Sequence, residues 1–289
     1  LLVYVDDVLA CSHDPKGIIL GIAAKFDIKN DEIEEPKLYL AGNVEKFQLP
    51  NGKVAWSLTS NSYVQGAVDT VQRLLAEDGR TLKSGKRSHK GPLPHGYRPE
   101  TDTSDECNAE HVSRFQQLIG ILRWAVELGR IDIQIEVALL SQYQMNLRQR
   151  HLEALYLIFH FLWKNPKKRQ VLDPSTPLID ESVFHSNADW VEFYGDVVEE
   201  DPPRMPEPLG EPVVTSTFVD SDHAGDTVTR RSRTGFIIFL NSAPIYWYSK
   251  KQGSGIETSS FGAEFIAMKN CCEYIRGLRY KLRMMGIPV

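Results

Sequence analysis

The chain opens on two short apolar, β-prone runs, 1–5 and 8–10, with Asp6 and Asp7 between them. Two such runs a pair of residues apart predict a β-hairpin with the aspartates at its turn. Ile18, Ile19, Ile22, Ala23 and Phe26 then predict a short amphipathic helix over 18–26. Segments 44–49 and 53–58 read as strands, and the Asn51-Gly52 pair between them predicts a second hairpin. Tyr63, Ala67, Val68, Val71, Leu74 and Leu75 repeat at helical spacing over 61–75. Residues 79–107 have no period and are rich in Gly, Pro, Ser and Thr, which predicts a long loop. Helical patterns return at 110–128, 131–144 and 151–163.

The pattern then breaks. Asp173-Pro174-Ser175-Thr176-Pro177 and Glu199-Glu200-Asp201-Pro202-Pro203 mark 172–212 as an acidic, proline-rich linker that cannot bury much core. Beyond it, strands are predicted at 213–218, 235–240 and 245–248. A long helix follows over 259–285, with Phe261, Phe265, Met268, Cys272, Ile275, Leu278 and Leu282 along one stripe and most of its surface expected to be buried.

Composition narrows the class. The chain has 289 residues, 42% hydrophobic and 25% charged, which is ordinary soluble composition and long enough for two or three domains. No run approaches the roughly 20 apolar residues of a membrane-spanning helix. No signal peptide is expected, because Asp6-Asp7 interrupts the first apolar run. Residue 1 is Leu and already lies in a predicted strand, so the chain is expected to be a fragment of a longer polypeptide. Cys11, Cys107, Cys271 and Cys272 form no Cys-x-x-Cys pair, which argues against zinc and a disulfide scaffold and fits a reducing compartment.

The net charge of −5 does not by itself suggest a nucleic-acid partner, but the charge is segregated. Lys83, Lys86, Arg87 and Lys90 make the long loop basic. Lys164, Lys167, Lys168 and Arg169 follow the helix 151–163, where they suit either a helix cap or a grip on a nucleic-acid backbone. Arg230, Arg231 and Arg233, with Lys250 and Lys251, form a third basic group, read as a solvated hairpin or a contact to nucleic acid. The run 196–201 reads as a solvated acidic face. His151 and His160 have no metal-ligand spacing and read as packing or surface residues.

Candidate chemistry rests on acids. Asp6-Asp7 lacks the glycine that a two-residue turn favours and sets like charges side by side, at a cost on the order of 1–3 kcal/mol. A bound cation would offset it, and Mg²⁺ prefers such hard oxygen ligands. The alternative is an acidic surface turn. Glu264, by its place alone, reads as a helix N-terminal acid favoured by the dipole. It closes no capping box, because Phe261 stands three residues before it.

Leu2-Val3-Tyr4-Val5-Asp6-Asp7-Val8-Leu9 resembles the palm motif of reverse transcriptases, most closely that of copia-type long-terminal-repeat retrotransposons. Pro36 to Glu45 resembles the strand that follows, except that Ala41 separates Leu40 from Gly42. Phe115 to Trp124 and Gly129-Arg130-Ile131-Asp132-Ile133 resemble a copia block, with Ile131 where many relatives have proline. Asp220-Ser221-Asp222-His223-Ala224-Gly225-Asp226, Arg231 to Phe236, Trp247 to Gln252 and Ala263-Glu264-Phe265-Ile266-Ala267 occur in copia order and approximate spacing.

The resemblance implies a mixed α+β chain: the end of a polymerase palm (1–60), a helical thumb-like region (61–170), a linker (171–212) and a truncated ribonuclease H-like α/β domain (213–289). It implies RNA-directed DNA polymerisation and hydrolysis of RNA in RNA–DNA hybrids, with Asp6, Asp7, Asp220 and Glu264 as catalytic Mg²⁺ ligands and Asp222 as an alternative to Asp220. Lys167, Lys168, Arg169, Arg230, Arg231, Arg233, Lys250 and Lys251 would contact nucleic acid. RNA template, DNA primer, hybrid, deoxynucleoside triphosphates and the rest of the polyprotein are the implied partners. No membrane is implied, and the implied setting is a cytoplasmic virus-like particle or the nucleus. The family's patterns also need one aspartate upstream of Leu1 and one after the long helix. Each two-metal site is therefore expected to be incomplete and the chain alone inactive, an expectation that robust polymerase activity would sink. A relic or domesticated binding protein is the alternative, as is a chain in which only the ribonuclease H half matters.

Overall fold

The first hairpin pairs two residues out of the expected register. In the computed structural model of the protein, which describes residues 2–4, 7–27, 33–82, 90–180, 190–197, 203–253 and 255–289, β1 (Leu2–Tyr4) pairs with β2 (Asp7–Leu9). The pairs are Leu2↔Leu9, Val3↔Val8 and Tyr4↔Asp7, so Asp7 belongs to the second strand and not to the turn. This register sets two β-branched residues, Val3 and Val8, across from each other, a favoured cross-strand pair. α1 (Pro15–Ala23) starts earlier than its apolar pattern, because Pro15 opens it and the Asp14 carboxylate accepts the Gly17 N–H at 2.8 Å.

Two units divide the chain, Leu1–Leu172 and Asp173–Val289. In the first, β3 (Leu38–Tyr39), β4 (Gly42–Gln48) and β5 (Val54–Thr59) form an antiparallel meander. The Asn51-Gly52 turn is as expected, with Gly52 at φ +81°. The β3–β4 turn is less ordinary: Leu40 (φ 50°) and Ala41 (φ 66°) are both left-handed. Helices α2 (Asn61–Glu77), α3 (Ala109–Glu127), α4 (Gln134–Leu140) and α5 (Gln149–Lys164) supply the core. Val71, Phe115, Leu122, Ile158 and Phe159 are fully buried there.

The helix expected over 131–144 is broken. Single 3-10 turns, Ile131–Ile133 and Ser141–Tyr143, flank a short α4. Asp132 turns back to Arg130 at one end, and the Ser141 hydroxyl donates to the Val137 carbonyl at the other. β6 (Arg169–Leu172) lies where a basic cap or grip had been expected. It is the fourth strand of the meander sheet, with Arg169 opposite Thr59.

In the second unit, β7 (Thr215–Asp222), β8 (Arg233–Leu240) and β9 (Ala243–Lys251) form a sheet in that order, followed by α7 (Ser260–Met284). β7 is longer than expected and takes in both Asp220 and Asp222. A short helix, α6 (Trp190–Tyr194), lies within the expected linker. The stripe expected on α7 is corrected in its first half only. Phe261, Phe265, Met268 and Cys272 are exposed, and Ala263, Ala267 and Cys271 are buried there instead. In the second half Leu282 is buried and Ile275 and Leu278 pack against the cluster of Phe236, Ile238 and Cys271, as the stripe predicts.

Among the described residues no helix is long and apolar enough to cross a membrane.

Candidate functional site

The acids of the second unit gather at one end of its sheet. Asp220 and Asp222 are two apart on β7, so they share a face. Their cross-strand neighbours are Gly235 and Arg233. Thr217, Val219 and Ser221 take the other face, opposite the buried residues Ile238, Phe236 and Thr234 on which α7 packs. From α7, the Glu264 carboxylate reaches β7 and accepts the Ser221 N–H at 3.3 Å.

The helix dipole does not account for Glu264. The Ser259 hydroxyl caps α7 by accepting the Gly262 N–H at 3.0 Å, and no acidic residue lies in the first turn. Glu264 sits one turn deeper, at the level where α7 meets the end of β7. Asp220, Asp222 and Glu264 are all exposed, and none forms an ion pair among the described residues. The Asp222 carboxylate folds over Gly225, where an added Cβ would lie 1.8 Å from its Oδ2. Among the described residues, no three His, Cys, Asp or Glu come together in a way that would hold a metal ion.

The turn from β7 to β8 is built on a residue to which the sequence reading gave no role. Asp226 accepts the N–H groups of Val228 and Thr229 and pairs with the Lys251 ammonium at 2.7 Å. Burial alone would raise its pKa, but Lys251 and the Thr229 N–H outweigh burial and lower it to about 2. Gln252 is a second such residue. It is buried, and its amide donates to Thr234 Oγ1 at 3.1 Å and to the Ala263 carbonyl at 3.0 Å, tying β9 to the start of α7. The signals were present: Asp226 and Gln252 each close a motif that carried the resemblance.

Of the basic residues at this end, Lys251 is held by Asp226, and Arg233 lies half-buried within 3.4 Å of the Ser249 hydroxyl. Arg230 is left-handed in the turn (φ 56°), and Arg230, Arg231 and Lys250 are exposed.

In the first unit, Asp7 is exposed on β2, and Asp6 lies outside the described residues. Tyr4 approaches Trp124 of α3, with ring centroids 6.4 Å apart. Lys167 and Lys168 are exposed past the end of α5, whereas Arg169 pairs with Glu45 at 2.8 Å and lies over the Phe47 ring. Lys164 is the one basic residue in the last turn of α5, so the capping reading suits it and not the three that follow. Lys83, Lys86, Arg87, Glu199, Glu200 and Asp201 lie outside the described residues. His151 and His160 are buried and bonded to the carbonyls of Pro99 and Leu82, which is a packing role. A cavity of about 420 Å³ between the 90–97 loop and α4 is lined by Tyr97, Ile135, Glu136 and Leu139, with none of the predicted acids in its wall.

No protein-family model matches the chain, and no solved structure matches it. Curated proteins do. The chain is 23% identical over 290 residues to the retrovirus-related Pol polyprotein from transposon RE1 of Arabidopsis thaliana, covering 99% of this chain and 16% of that protein. It is 23% identical over 292 residues to the corresponding polyprotein from transposon TNT 1-94 of Nicotiana tabacum, covering 99% of this chain and 18% of that one. It is 22% identical over 276 residues to the putative transposon Ty5-1 protein of Saccharomyces cerevisiae, covering 92% of this chain and 70% of that one. The chain thus spans about a sixth of the length of the plant polyproteins it matches. Over essentially its whole length, it is a homologue of the retrovirus-related Pol polyproteins of copia-type transposons.

Proposed function

We propose that the chain is a section of a retrotransposon RNA-directed DNA polymerase with ribonuclease H, comprising the end of a palm, a helical thumb and part of a ribonuclease H-like domain. One observation supports this most. Glu264 of the long helix accepts the N–H of Ser221, the residue after Asp220, so the two acids stand at the same end of the first strand of the C-terminal sheet. In this reading Asp6 and Asp7 serve polymerisation, and Asp220 and Glu264 serve RNA hydrolysis. Their donors are hard oxygens, which suits Mg²⁺, and neither Asp220 nor Glu264 is neutralised by a cation among the described residues. Bound there, Mg²⁺ would activate water and stabilise the leaving 3′-oxygen of the RNA strand. Lys250, Arg230 and Arg231 stand at the same end of the sheet, where a hybrid backbone would pass.

The test is RNA cleavage in an RNA–DNA hybrid and primer extension on an RNA template, measured on polypeptides that include this sequence. Asp220→Asn and Glu264→Gln should each abolish cleavage and spare extension, and Asp7→Asn the reverse. Cleavage that survives both acid substitutions would falsify the assignment. A binding-only role is the second reading, favoured by the lack of a three-acid group among the described residues. It predicts hybrid affinity that falls steeply with salt, with no Mg²⁺-dependent turnover.

A further inference from the structure

The cavity between the 90–97 loop and α4 has no part in the proposed chemistry. It measures about 420 Å³, and its walls hold neither Asp7 nor any acid of the second unit. Pockets that take small molecules run from about 300 to about 1,000 Å³. On α4, Leu139 follows Ile135 and Glu136 by four and three residues, so all three share a side of the helix. Ile135 is 58% exposed, and Glu136 is half-buried. Burial raises the pKa of Glu136 most, its own main-chain N–H pulls the other way, and Asp132 adds to the rise. No Lys, Arg or His pairs with it among the described residues, so a partly desolvated carboxyl keeps acceptor capacity to spare.

The opposite wall is a tight turn. The Tyr97 N–H donates to the Pro94 carbonyl at 3.1 Å, and Gly96 takes the left-handed corner at φ +72°. His95 is exposed at the other corner, and Lys90 is exposed where the loop begins. Neither pairs with an acid among the described residues. Tyr97 also lines the cavity, while its hydroxyl is buried. Burial, then Asp102, Tyr143 and Glu100, push the pKa of that hydroxyl up, so the phenol stays neutral. A ring held by its buried tip is a fixed surface, which spares a ligand the cost of ordering it.

We infer that this cavity binds a guanine base carrying a phosphate, with the base edge on Glu136 and the phosphate toward Lys90 and His95. The apolar parts of the two walls, Ile135 and Leu139 on one side and Pro94 and Tyr97 on the other, suit the faces of a flat ring. A carboxylate can accept two parallel N–H bonds. Among the bases, guanine is the one whose Watson–Crick edge sets two donors, N1–H and N2–H, side by side. Adenine and cytosine each place a ring acceptor beside their amino group, and uracil flanks its single N–H with two carbonyls. Those lone pairs would face the carboxylate. Charges of opposite sign on the two walls also disfavour simpler ligands: a plain cation meets Lys90, and inorganic phosphate meets Glu136.

The test is equilibrium dialysis of GMP and AMP against the 289-residue chain, without Mg²⁺, so that the acids proposed for catalysis take no part. GMP should bind with a dissociation constant on the order of 0.1 mM, and AMP at least about tenfold more weakly. Glu136→Gln should reverse that preference, because an amide offers one acceptor and one donor, the pair that adenine needs. A purely structural role for Glu136 would lower both affinities alike, which overturns the inference. If Glu136→Gln unfolds, Ile135→Trp decides: it fills the slot from an exposed position and should abolish GMP binding. Lys90→Ala should weaken GMP and leave guanosine unchanged; an equal effect on both removes the phosphate from the assignment and overturns it. A short oligothymidylate with one central guanine, compared with the same strand lacking it, separates the two sources of the base. A gain larger than the affinity for GMP assigns the site to an unpaired base of a strand, and a smaller one to a free nucleotide. No GMP binding at about 5 mM, or equal binding of GMP and AMP, overturns the inference.

Discussion

The Lys251 ammonium lies 2.7 Å from the Asp226 carboxylate and fastens the end of β9 to the turn that leaves β7. Both side chains are largely sheltered, 25% and 11% exposed, so solvent screens the pair only in part.

This pair makes the second unit acid-sensitive. Asp226 has a folded-state pKa of about 2, below the roughly 3.9 of an unfolded aspartate. A depressed carboxylate stabilises the fold fully above its unfolded pKa and loses that contribution as pH falls toward the folded value. Stability should therefore decline between about pH 4 and pH 2, by roughly 1–2 kcal/mol from this group. Urea titrations of Asp226→Asn should show a lower plateau at neutral pH and a flatter slope in that window. A variant that keeps the parent's acid slope would exclude Asp226 as the source.

Arg130 is fully buried, and its guanidinium makes two bonds to Asp132, at 2.8 and 2.9 Å. Its third nitrogen, Nη1, has no hydrogen-bond partner among the described residues. Removing the acid strands a buried cation, so Asp132→Ala should cost about 3 kcal/mol. Adding Arg130→Met to that variant should restore part of the loss, since a well-packed apolar chain has no desolvation penalty. Chemical denaturation of both would decide; a double variant weaker than the single one would mean that Arg130 contributes packing and not charge.

The Leu40-Ala41 turn runs against backbone preference. A left-handed residue with a Cβ costs about 1–2 kcal/mol. Ala41→Gly should raise stability by about 0.5–1 kcal/mol after the added freedom of the unfolded chain is subtracted. Gly42→Ala should do the opposite, because its Cβ would meet Leu58 Cδ1 at 2.6 Å. Melting temperatures of the two variants moving in the same direction would contradict this account.

Gln252 donates to a strand hydroxyl and a helix carbonyl at once. Gln252→Leu keeps the volume and leaves the Ala263 carbonyl without that donor, at a cost of about 1–3 kcal/mol. Hydrogen exchange should then quicken at the start of α7, near Ala263 and Glu264, while the far end of the helix is unchanged. Uniform quickening along α7 would point to global loss of stability instead.

Much of this architecture could be read from spacing. The hairpin at Asn51-Gly52 and the helices α2, α3 and α5 follow from local periods, which depend only on neighbours in sequence. What escaped depended on distant partners. The start of β6 reads in sequence as part of a basic cap or grip, because Arg169 becomes a strand residue only when Glu45 and Phe47 are beside it. The buried face of α7 is legible in its second half, where Ile275, Leu278 and Leu282 pack inward, but not in its first, because Ala263 and Ala267 are small and score weakly while Phe261 and Phe265 score strongly and are exposed. Asp220 and Glu264 stood out only through the family resemblance. No local rule brings Glu264 to Ser221, 43 positions away, and the spacing says nothing of the Asp226 and Gln252 supports.

The late return of β6 also orders events in time. Thr59 and Arg169 are neighbours on one rung of the ladder, and Arg169 bonds Glu45 across 124 positions of sequence. Everything between is a closed excursion that leaves the sheet and comes back to the place it left. Closing so long a loop costs entropy that no local contact repays. The meander and the helices should thus be made first from short-range contacts, and β6 should dock last, as a latch. Its amides should be the last of the sheet to gain protection in a refolding experiment, and the first to lose it when the helices loosen.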